Sequence, residues 1–203
     1  MDPFDPSSPK NKAAMEHVRA LLEFIGEDPE REGLRDTPMR VVKSFKEHFW
    51  GYTADPAEPL RKTFTEVEGY DELVLLTDIK VHSHCEHHMV PFVGVAHVGY
   101  IPNGRVAGLS KLARVVDIFS KRLQVQEKLT AQIAAAIQDA LNPHGVAVVV
   151  QAQHFCMCHR GVQQPDAVTT TSKLYGVFLS NPAARAELYQ LIAMRRNSQT
   201  SRA

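Results

Sequence analysis

The sequence predicts an α+β fold: an antiparallel four-stranded sheet with helices on one face, preceded by an N-terminal helical segment. Segments with helical spacing of apolar residues come in pairs rather than after every strand-like segment, and turn-forming residues bound the strand-like segments. The predicted order is two helices, two strands, two helices, two strands and one helix. Such a sheet leaves edges that another copy of the chain can pair, which suggests an oligomer.

The N-terminal part is predicted to be helical after a short, flexible, proline-containing leader. Apolar residues at helical spacing over 10–25 predict a first helix that stops at Gly26. Thr37 and Pro38 have the pattern of an N-cap followed by proline at the first helical position, so a second helix is expected there. The predicted division is a leader at 1–9, a helical segment at 10–62, a main domain at 63–194 and a flexible tail at 195–203.

The main domain alternates pairs of strands with pairs of helices. Its strands are rich in β-forming residues, and turn signals such as Pro102-Asn103-Gly104 separate them from the neighbouring elements. The predicted strands span 73–81, 90–101, 146–157 and 172–179. The predicted helices begin at a cap on Ser110, run over about 125–141, and run over 182–194.

Composition and charge exclude several functional classes. Lys and Arg number 23 and Asp and Glu number 23, so net charge gives no reason to expect nucleic acid or a membrane as partner. No apolar run approaches the roughly 18–20 residues of a membrane span, and no signal peptide is recognised. Three cysteines without a secretion signal favour a reducing, cytoplasmic location. Any anion-binding site must therefore be local.

The first chemical motif is a histidine-rich run at 82–88, between two predicted strands. Cys85 and His88 in this run have the C-x-x-H spacing that lets two side chains bind one tetrahedral ion. The alternative is a solvated, histidine-rich turn. His87 is a spare group for proton transfer.

The second motif lies at the end of the third predicted strand. If that strand stays regular, His154, Cys156, Cys158 and Arg160 share one face, and Cys156 becomes a third ligand. The alternative is that the two thiols are small buried apolar groups. Two thiolates and one imidazole suit Zn²⁺, and three protein ligands leave a position for water, as in catalytic sites. A fourth ligand at Cys158 would instead close the site and make it structural, while His154 is a second candidate for proton transfer.

The third motif is the helix start at Ser110. Lys111 and Arg114 are three residues apart and share one side near the helix N-terminus, where free N–H groups and the helix dipole favour phosphate. Arg160 is a further candidate donor. The alternative is two solvated cations on a capped helix, and no P-loop motif is present. Glu127 is either a carboxylate favoured by the helix dipole or one that binds a base edge.

Taken in order, these motifs closely resemble those of the GTP cyclohydrolase I family over roughly residues 10–194. The matching segments are Cys85-Glu86-His87-His88, Gly108-Leu109-Ser110-Lys111-x-x-Arg114, Gln124-Val125-Gln126-Glu127, and His154-x-Cys156 with Arg160-Gly161. Thr37-Pro38-x-Arg40 and Thr169-Thr170-Thr171-Ser172 are also similar to family segments.

The resemblance implies a fold, a metal and a reaction. The fold would be the tunnelling fold, whose sheets assemble into barrels and homodecamers with active sites at subunit interfaces. Cys85, His88 and Cys156 would hold Zn²⁺, and a zinc-activated water would attack C8 of GTP. His87 and His154 would transfer protons as the imidazole ring opens and formate leaves. An Amadori rearrangement and ring closure would give 7,8-dihydroneopterin triphosphate, the first step of tetrahydrofolate and pterin biosynthesis.

The resemblance also implies the substrate contacts. Glu127 would accept the guanine N–H bonds, and Gln126 beside it is expected to bind substrate as well. The triphosphate would be bound by Ser110, Lys111, Arg114 and Arg160, with Arg40 and Lys43 contributing from a neighbouring subunit. Cys158, His82 and His84 lie outside the implied ligand set.

Three other interpretations remain open at this point. His84-Cys85-Glu86 matches the H-x-E of zinc nucleobase deaminases, but the P-C-x-x-C partner is missing. A nitrile reductase acting on deazapurines is a second rival, against which the Cys85, His88 and Cys156 set argues. A non-catalytic zinc module would need four protein ligands and gives no reason for the basic helix start.

Overall fold

The structure is a computed structural model that describes residues 4–65 and 68–200. The first residues of the predicted leader, 1–3, and the last of the predicted tail, 201–203, lie outside the described residues. The chain divides into two compact units, Met1–Trp50 and Gly51–Ala203. Within the described residues, none of the helices combines the length and the apolar character that crossing a bilayer demands.

The first unit contains the two predicted helices, α1 (Pro9–Phe24) and α2 (Thr37–His48). Gly26 follows α1 with a φ of +89°, a conformation that glycine adopts without strain, so the predicted stop is confirmed. The cap of α2 is Asp36 rather than Thr37, and Thr37 is the first helical residue. Both residue types favour the cap, and the proline after them is tolerated throughout the first turn because its missing N–H needs no partner there.

The second unit contains the remaining elements. Its strands are β1 (Thr63–Phe64), β2 (Val74–Cys85), β3 (Pro91–Ile101), β4 (Val106–Ala107), β5 (Leu123–Gln124), β6 (Gly145–His154) and β7 (Val168–Gly176). Its helices are α3 (Leu109–Ser120), α4 (Gln126–Leu141), α5 (Phe155–Cys158), α6 (Val177–Ser180) and α7 (Pro182–Thr200). The last helix thus continues past the predicted end at 194.

The sheet has the order β5-β2-β3-β6-β7, and β2, β3, β6 and β7 are antiparallel, as predicted. The short strand β5 was not predicted; it pairs parallel to the end of β2 and sets Gln124 opposite Cys85. The register of β3 with β6 runs unbroken from the pair Phe92 and His154. The C-terminal ends of β2 and β6 therefore lie at the same end of the sheet, on either side of the start of β3.

Helices α3 and α4 cover one face of the sheet, which confirms the predicted α+β class, but two further helices contact the opposite face, which was not predicted. Because strand side chains alternate, Val146, Val148 and Val150 of β6 join the core beneath these helices. The intervening Ala147 and Val149 point to the opposite face, where α6 and α7 contact them. The residues of those two helices in this second cluster are Phe178, Leu188 and Ile192.

Three strand predictions were wrong at their ends. The first predicted strand, 73–81, is β2, which continues to Cys85 and so contains the first half of the histidine-rich run. The third predicted strand, 146–157, stops at His154, because β3 begins at Pro91, which has no N–H to extend the ladder. The fourth, 172–179, is instead β7, which ends at Gly176, where a Cβ would overlap the backbone of His144. The face predicted for His154, Cys156, Cys158 and Arg160 therefore does not form.

The predicted cap of α3 was also wrong. Gly108 is the N-cap, no side chain caps the helix, and Ser110 lies inside the first turn. A glycine is an acceptable N-cap, and the extended strand β4 directly before it sets the entry of the chain into the helix.

Candidate metal and proton-transfer site

The side chains of Cys85, His88 and Cys156 converge in one place. Their ligand atoms all lie within 4.8 Å of one another, and the Cys85 Sγ is 3.9 Å from the His88 Nδ1. Cys85 is buried, Cys156 is half-buried and His88 is exposed. The convergence of two thiols and one imidazole is the arrangement that the sequence predicted for a three-ligand metal site.

A tight turn after β2 fixes the first two of these groups. The Cys85 N–H donates to the Val90 carbonyl at 2.9 Å, and the Met89 N–H donates to the Cys85 carbonyl at 2.8 Å. Met89 has a φ of +53°, which closes the turn. The Glu86 N–H donates to the Gln124 carbonyl at 3.0 Å, so β5 holds the turn from the side.

The short helix α5 positions the third group. It starts directly after β6, so Cys156 lies in a helical turn rather than on a strand. Cys158 is 7% exposed, and its thiol donates to the His154 carbonyl at 3.1 Å. Among the described residues the possible metal-binding group does not include Cys158, so the structure does not support the four-ligand alternative.

The electrostatics of the two thiols suit a cation. Burial raises the pKa of Cys156, and the neighbouring Cys85 raises it further. The nearby sulfur therefore opposes ionisation of the Cys156 thiol, and a divalent cation between the two sulfurs would offset that effect. The donor set, two sulfurs and one imidazole nitrogen, therefore fits Zn²⁺.

The two histidines predicted for proton transfer lie beside this group. His154 stacks on Phe92, with ring centroids 4.6 Å apart and planes 10° apart. Burial lowers the pKa of His154, although Glu127 acts in the opposite direction, so the neutral ring is favoured near neutral pH. His87 is exposed, and its Nδ1 is 3.9 Å from the Cys85 Sγ. Phe92 was missed, because its pairing with His154 depends on a register that no local pattern reveals.

A cavity of about 200 Å³ contains these side chains. Its lining is Cys85, His87, His88, Gln124, Val125, Gln126, Glu127, His154, Cys156, Met157 and Thr169. Glu127 is exposed at the start of α4, as a base-binding carboxylate requires. Gln126 is only 1% exposed, and its side-chain amide is taken up by four protein partners, so the prediction that this side chain binds substrate does not fit the structure.

The predicted phosphate-binding residues do not line this cavity. Lys111 is half-buried, and Ser110 and Arg114 are exposed, all in the first two turns of α3. Arg160 is exposed and near enough to Cys156 to lower its pKa slightly against the larger raising effects.

The two other predicted phosphate ligands belong to the first unit of the chain. Arg40 and Lys43 both lie on α2 and are exposed. Arg40 contacts Asp36, the N-cap residue of this helix, at 3.2 Å.

Comparison with known proteins gives consistent matches. A family model described as GTP cyclohydrolase I matches residues 14–193. A GTP cyclohydrolase 1 from Sinorhizobium fredii (strain NBRC 101917 / NGR234) is 54% identical over 184 residues, covering 91% of this chain and 90% of that protein. A GTP cyclohydrolase 1 from Maricaulis maris (strain MCS10) is 51% identical over 186 residues, covering 92% and 91%. A solved apo structure of a QueF-like archaeosine synthase is 19% identical, with a TM-score of 0.41, and covers 51% of this chain and 93% of that one.

Proposed function

Because the chain is an enzyme that belongs to the GTP cyclohydrolase I family, we propose that it hydrolyses GTP at C8 and releases formate. An Amadori rearrangement of the ribose and ring closure then give 7,8-dihydroneopterin triphosphate, the first step of tetrahydrofolate and pterin biosynthesis. The observation that carries this proposal is the convergence of Cys85, His88 and Cys156 beside His154 in one cavity.

The metal of this proposal is Zn²⁺, held by Cys85, His88 and Cys156. The support is the fit of the donor set described above, with three protein ligands and no fourth among the described residues. When bound, Zn²⁺ supplies the Lewis acidity that makes water a nucleophile near neutral pH.

Proton transfer is assigned to His154 and His87. His154 is held by Phe92 on its ring face and by Gln126 at its Nε2, so its orientation is fixed before substrate arrives. A neutral imidazole at this position accepts a proton as water adds to C8, and returns it to the purine nitrogen as the ring opens. His87 lines the same cavity and is exposed, so it is assigned to pass protons between the site and solvent.

Recognition of the base is assigned to Glu127. Its exposed carboxylate lies in the first turn of α4 on the wall of the cavity, where it can accept hydrogen bonds from the N1 and N2 groups of guanine. Its neighbour Gln126 contributes through His154 rather than by direct contact with the substrate.

The cavity in one chain is too small for a whole nucleoside triphosphate. Its volume of about 200 Å³ is below the roughly 300–1,000 Å³ that is usual for ligand sites. We assign the remainder of the site to a neighbouring copy in a homo-oligomer, expected to be a decamer, and the exposed edge strand β7 supports such assembly. The triphosphate ligands would then be Ser110, Lys111, Arg114 and Arg160, with Arg40 and Lys43 helping.

A cytoplasmic location is supported by the three free cysteines.

The test is incubation of purified, zinc-loaded protein with GTP, with formate and the oxidised, fluorescent pterin measured together. Equal amounts of both products, abolished by a chelator, support the proposal. Formate without pterin would restrict the activity to ring opening. If folded, zinc-loaded protein forms neither product, the proposal is contradicted. The non-catalytic zinc module would then be the favoured interpretation.

The role of His154 is tested by His154→Ala, with His144→Ala as the matched control. His154 ends β6, whereas the exposed His144 precedes the first residue of the same strand. His154→Ala should keep its zinc and lose turnover by about 10²- to 10⁴-fold, the usual contribution of a positioned acid or base. His144→Ala should keep both zinc and turnover. Loss of zinc in His154→Ala would contradict the assignment.

A further inference from the structure

The side chain of Gln126 is fully engaged inside the protein. Its Nε2, which carries two hydrogens, lies within hydrogen-bond distance of three acceptors: the Val150 carbonyl at 3.0 Å, the Thr169 carbonyl at 3.0 Å and the Thr171 hydroxyl at 3.1 Å. Its Oε1 lies 2.8 Å from the Nε2 of His154. With 1% exposure, this amide has no room to exchange its partners for water.

The chemistry of these partners fixes which end of the amide is which. Backbone carbonyls only accept hydrogen bonds, so the atom that faces those of Val150 and Thr169 is the amide nitrogen. The oxygen must then face His154. Because an amide oxygen only accepts, the hydrogen of that bond belongs to His154.

The hydroxyls of Thr130 and Thr171 support the same orientation of the Gln126 side-chain amide. The Thr130 hydroxyl donates to the backbone carbonyl of Gln126 at 2.8 Å, so its single hydrogen is used. In the 2.6 Å contact between Thr130 and Thr171, the donor is therefore Thr171, whose oxygen is left to accept from the Gln126 amide. Every hydrogen bond in the network then has one direction.

We propose that Gln126 is a positioning residue that holds His154 as the Nε2–H tautomer and leaves Nδ1 as its proton-accepting nitrogen. The Phe92 ring stacked on the imidazole keeps the ring from turning over, so the two nitrogens do not exchange places. The orientation of the imidazole ring and its tautomer are therefore both determined by buried neighbouring side chains rather than by the substrate.

The inference deepens the proposed function and rests on it for its catalytic meaning. Gln126 and Glu127 are consecutive at the start of α4, one buried and one exposed. The start of α4 therefore supplies the carboxylate of Glu127, which is assigned to bind guanine. It also orients the imidazole of His154, which is assigned to proton transfer. A shift of this helix end would change both at once.

The test is magic-angle-spinning ¹⁵N NMR of the zinc-loaded full chain with ¹⁵N-labelled histidine. Spectra are taken at a pH well above about 6.5, where imidazole is neutral. The His154 signals are those missing from His154→Ala. We expect His154 to be wholly Nε2–H, with a hydrogen protected from solvent exchange.

Two variants test the cause. Gln126→Met keeps the length of the side chain but removes its polar atoms; we expect mixed tautomers, loss of the protected hydrogen, and a kcat for formate release lowered about 10- to 100-fold with little change in KM. Thr171→Val removes one acceptor and leaves two carbonyls for the two amide hydrogens, so His154 should keep the parent signals.

The inference is overturned if His154 of the parent is Nδ1–H, or if Gln126→Met leaves its signals unchanged. The parent spectrum alone decides the tautomer if Gln126→Met does not fold. If the parent does not convert GTP, the proposed function fails, while the spectra still decide whether Gln126 sets the tautomer.

Discussion

Replacing Cys158 by alanine separates a catalytic zinc site from a structural one. In the structure, the Cys158 thiol donates to the His154 carbonyl at 3.1 Å and lies 3.8 Å from the Pro165 carbonyl. It therefore ties α5 to the end of β6 and to the loop after α5. Cys156, two residues earlier, belongs to the metal-binding group.

The expected magnitudes differ between the two cysteines. Cys158→Ala loses a weak, buried hydrogen bond, so the free energy of unfolding should fall by about 1–2 kcal/mol with zinc affinity preserved. Cys156→Ala loses a ligand, so affinity should fall by more than the roughly 10- to 100-fold that is usual for changes outside the ligand shell. At a free zinc concentration of about 100 Kd, zinc should stabilise the parent and Cys158→Ala by about 2.7 kcal/mol, and Cys156→Ala by much less.

The assay combines zinc per chain, measured by mass spectrometry after dialysis, with urea denaturation at fixed free zinc and with chelator. Cys158→Ala should retain parental zinc and the full zinc-dependent gain in stability. Loss of zinc from Cys158→Ala to the same extent as from Cys156→Ala would refute the three-ligand interpretation.

Three further predictions concern the core of the second unit and the start of α3. Burial raises the pKa of Tyr100 above its ordinary 10.0, so its stabilising contribution is complete below pH 10.0 and is lost as pH rises through the raised value. Tyr100→Phe should lose about 1–3 kcal/mol at neutral pH, because the Ala107 N–H loses its acceptor, and alkaline denaturation curves should show a weaker pH dependence. Gly94→Ala should express poorly or unfold in thermal melts, because its Cβ would overlap the backbone of β6, whereas Gly99→Ala meets only side-chain atoms and should fold. Lys111→Ala should raise KM for GTP about 10- to 100-fold in steady-state assays, more strongly at low salt, if it binds phosphate.

The layers of the fold could be predicted because they depend on local patterns. Helical spacing of apolar residues located α3 and α4, Pro182 indicated the start of α7, and runs of β-forming residues located the four long strands. The two-residue strand β5 carries no such pattern; it is a strand only because β2 lies beside it. The second cluster under α6 and α7 likewise depends on which strand face those helices reach.

The candidate site could be predicted in its residue types but not in its geometry. Cys85 and His88 are close in sequence, so their spacing alone indicates a common ion. The roles of Gln126 and Glu127 could not be separated in the sequence, because one side chain becomes buried and the other stays exposed only once α4 packs on the sheet. Cys158 was left open as a ligand for the same reason.

The third predicted strand ends at His154 and a helix follows it, and the metal site depends on this change from strand to helix. Strands β2 and β6 are separated by β3, which puts their backbones about two strand spacings, or about 9.5 Å, apart. Two thiolates bound to one Zn²⁺ at about 2.3 Å each must lie much closer than that. The turn at Cys85–Met89 and the helix α5 bring the side chains of Cys85 and Cys156 together, so that their sulfur atoms lie within 4.8 Å of each other. Because residues two apart on a helix differ by about 200° in direction, the same change to helix turns Cys158 away from the ion that Cys156 can reach.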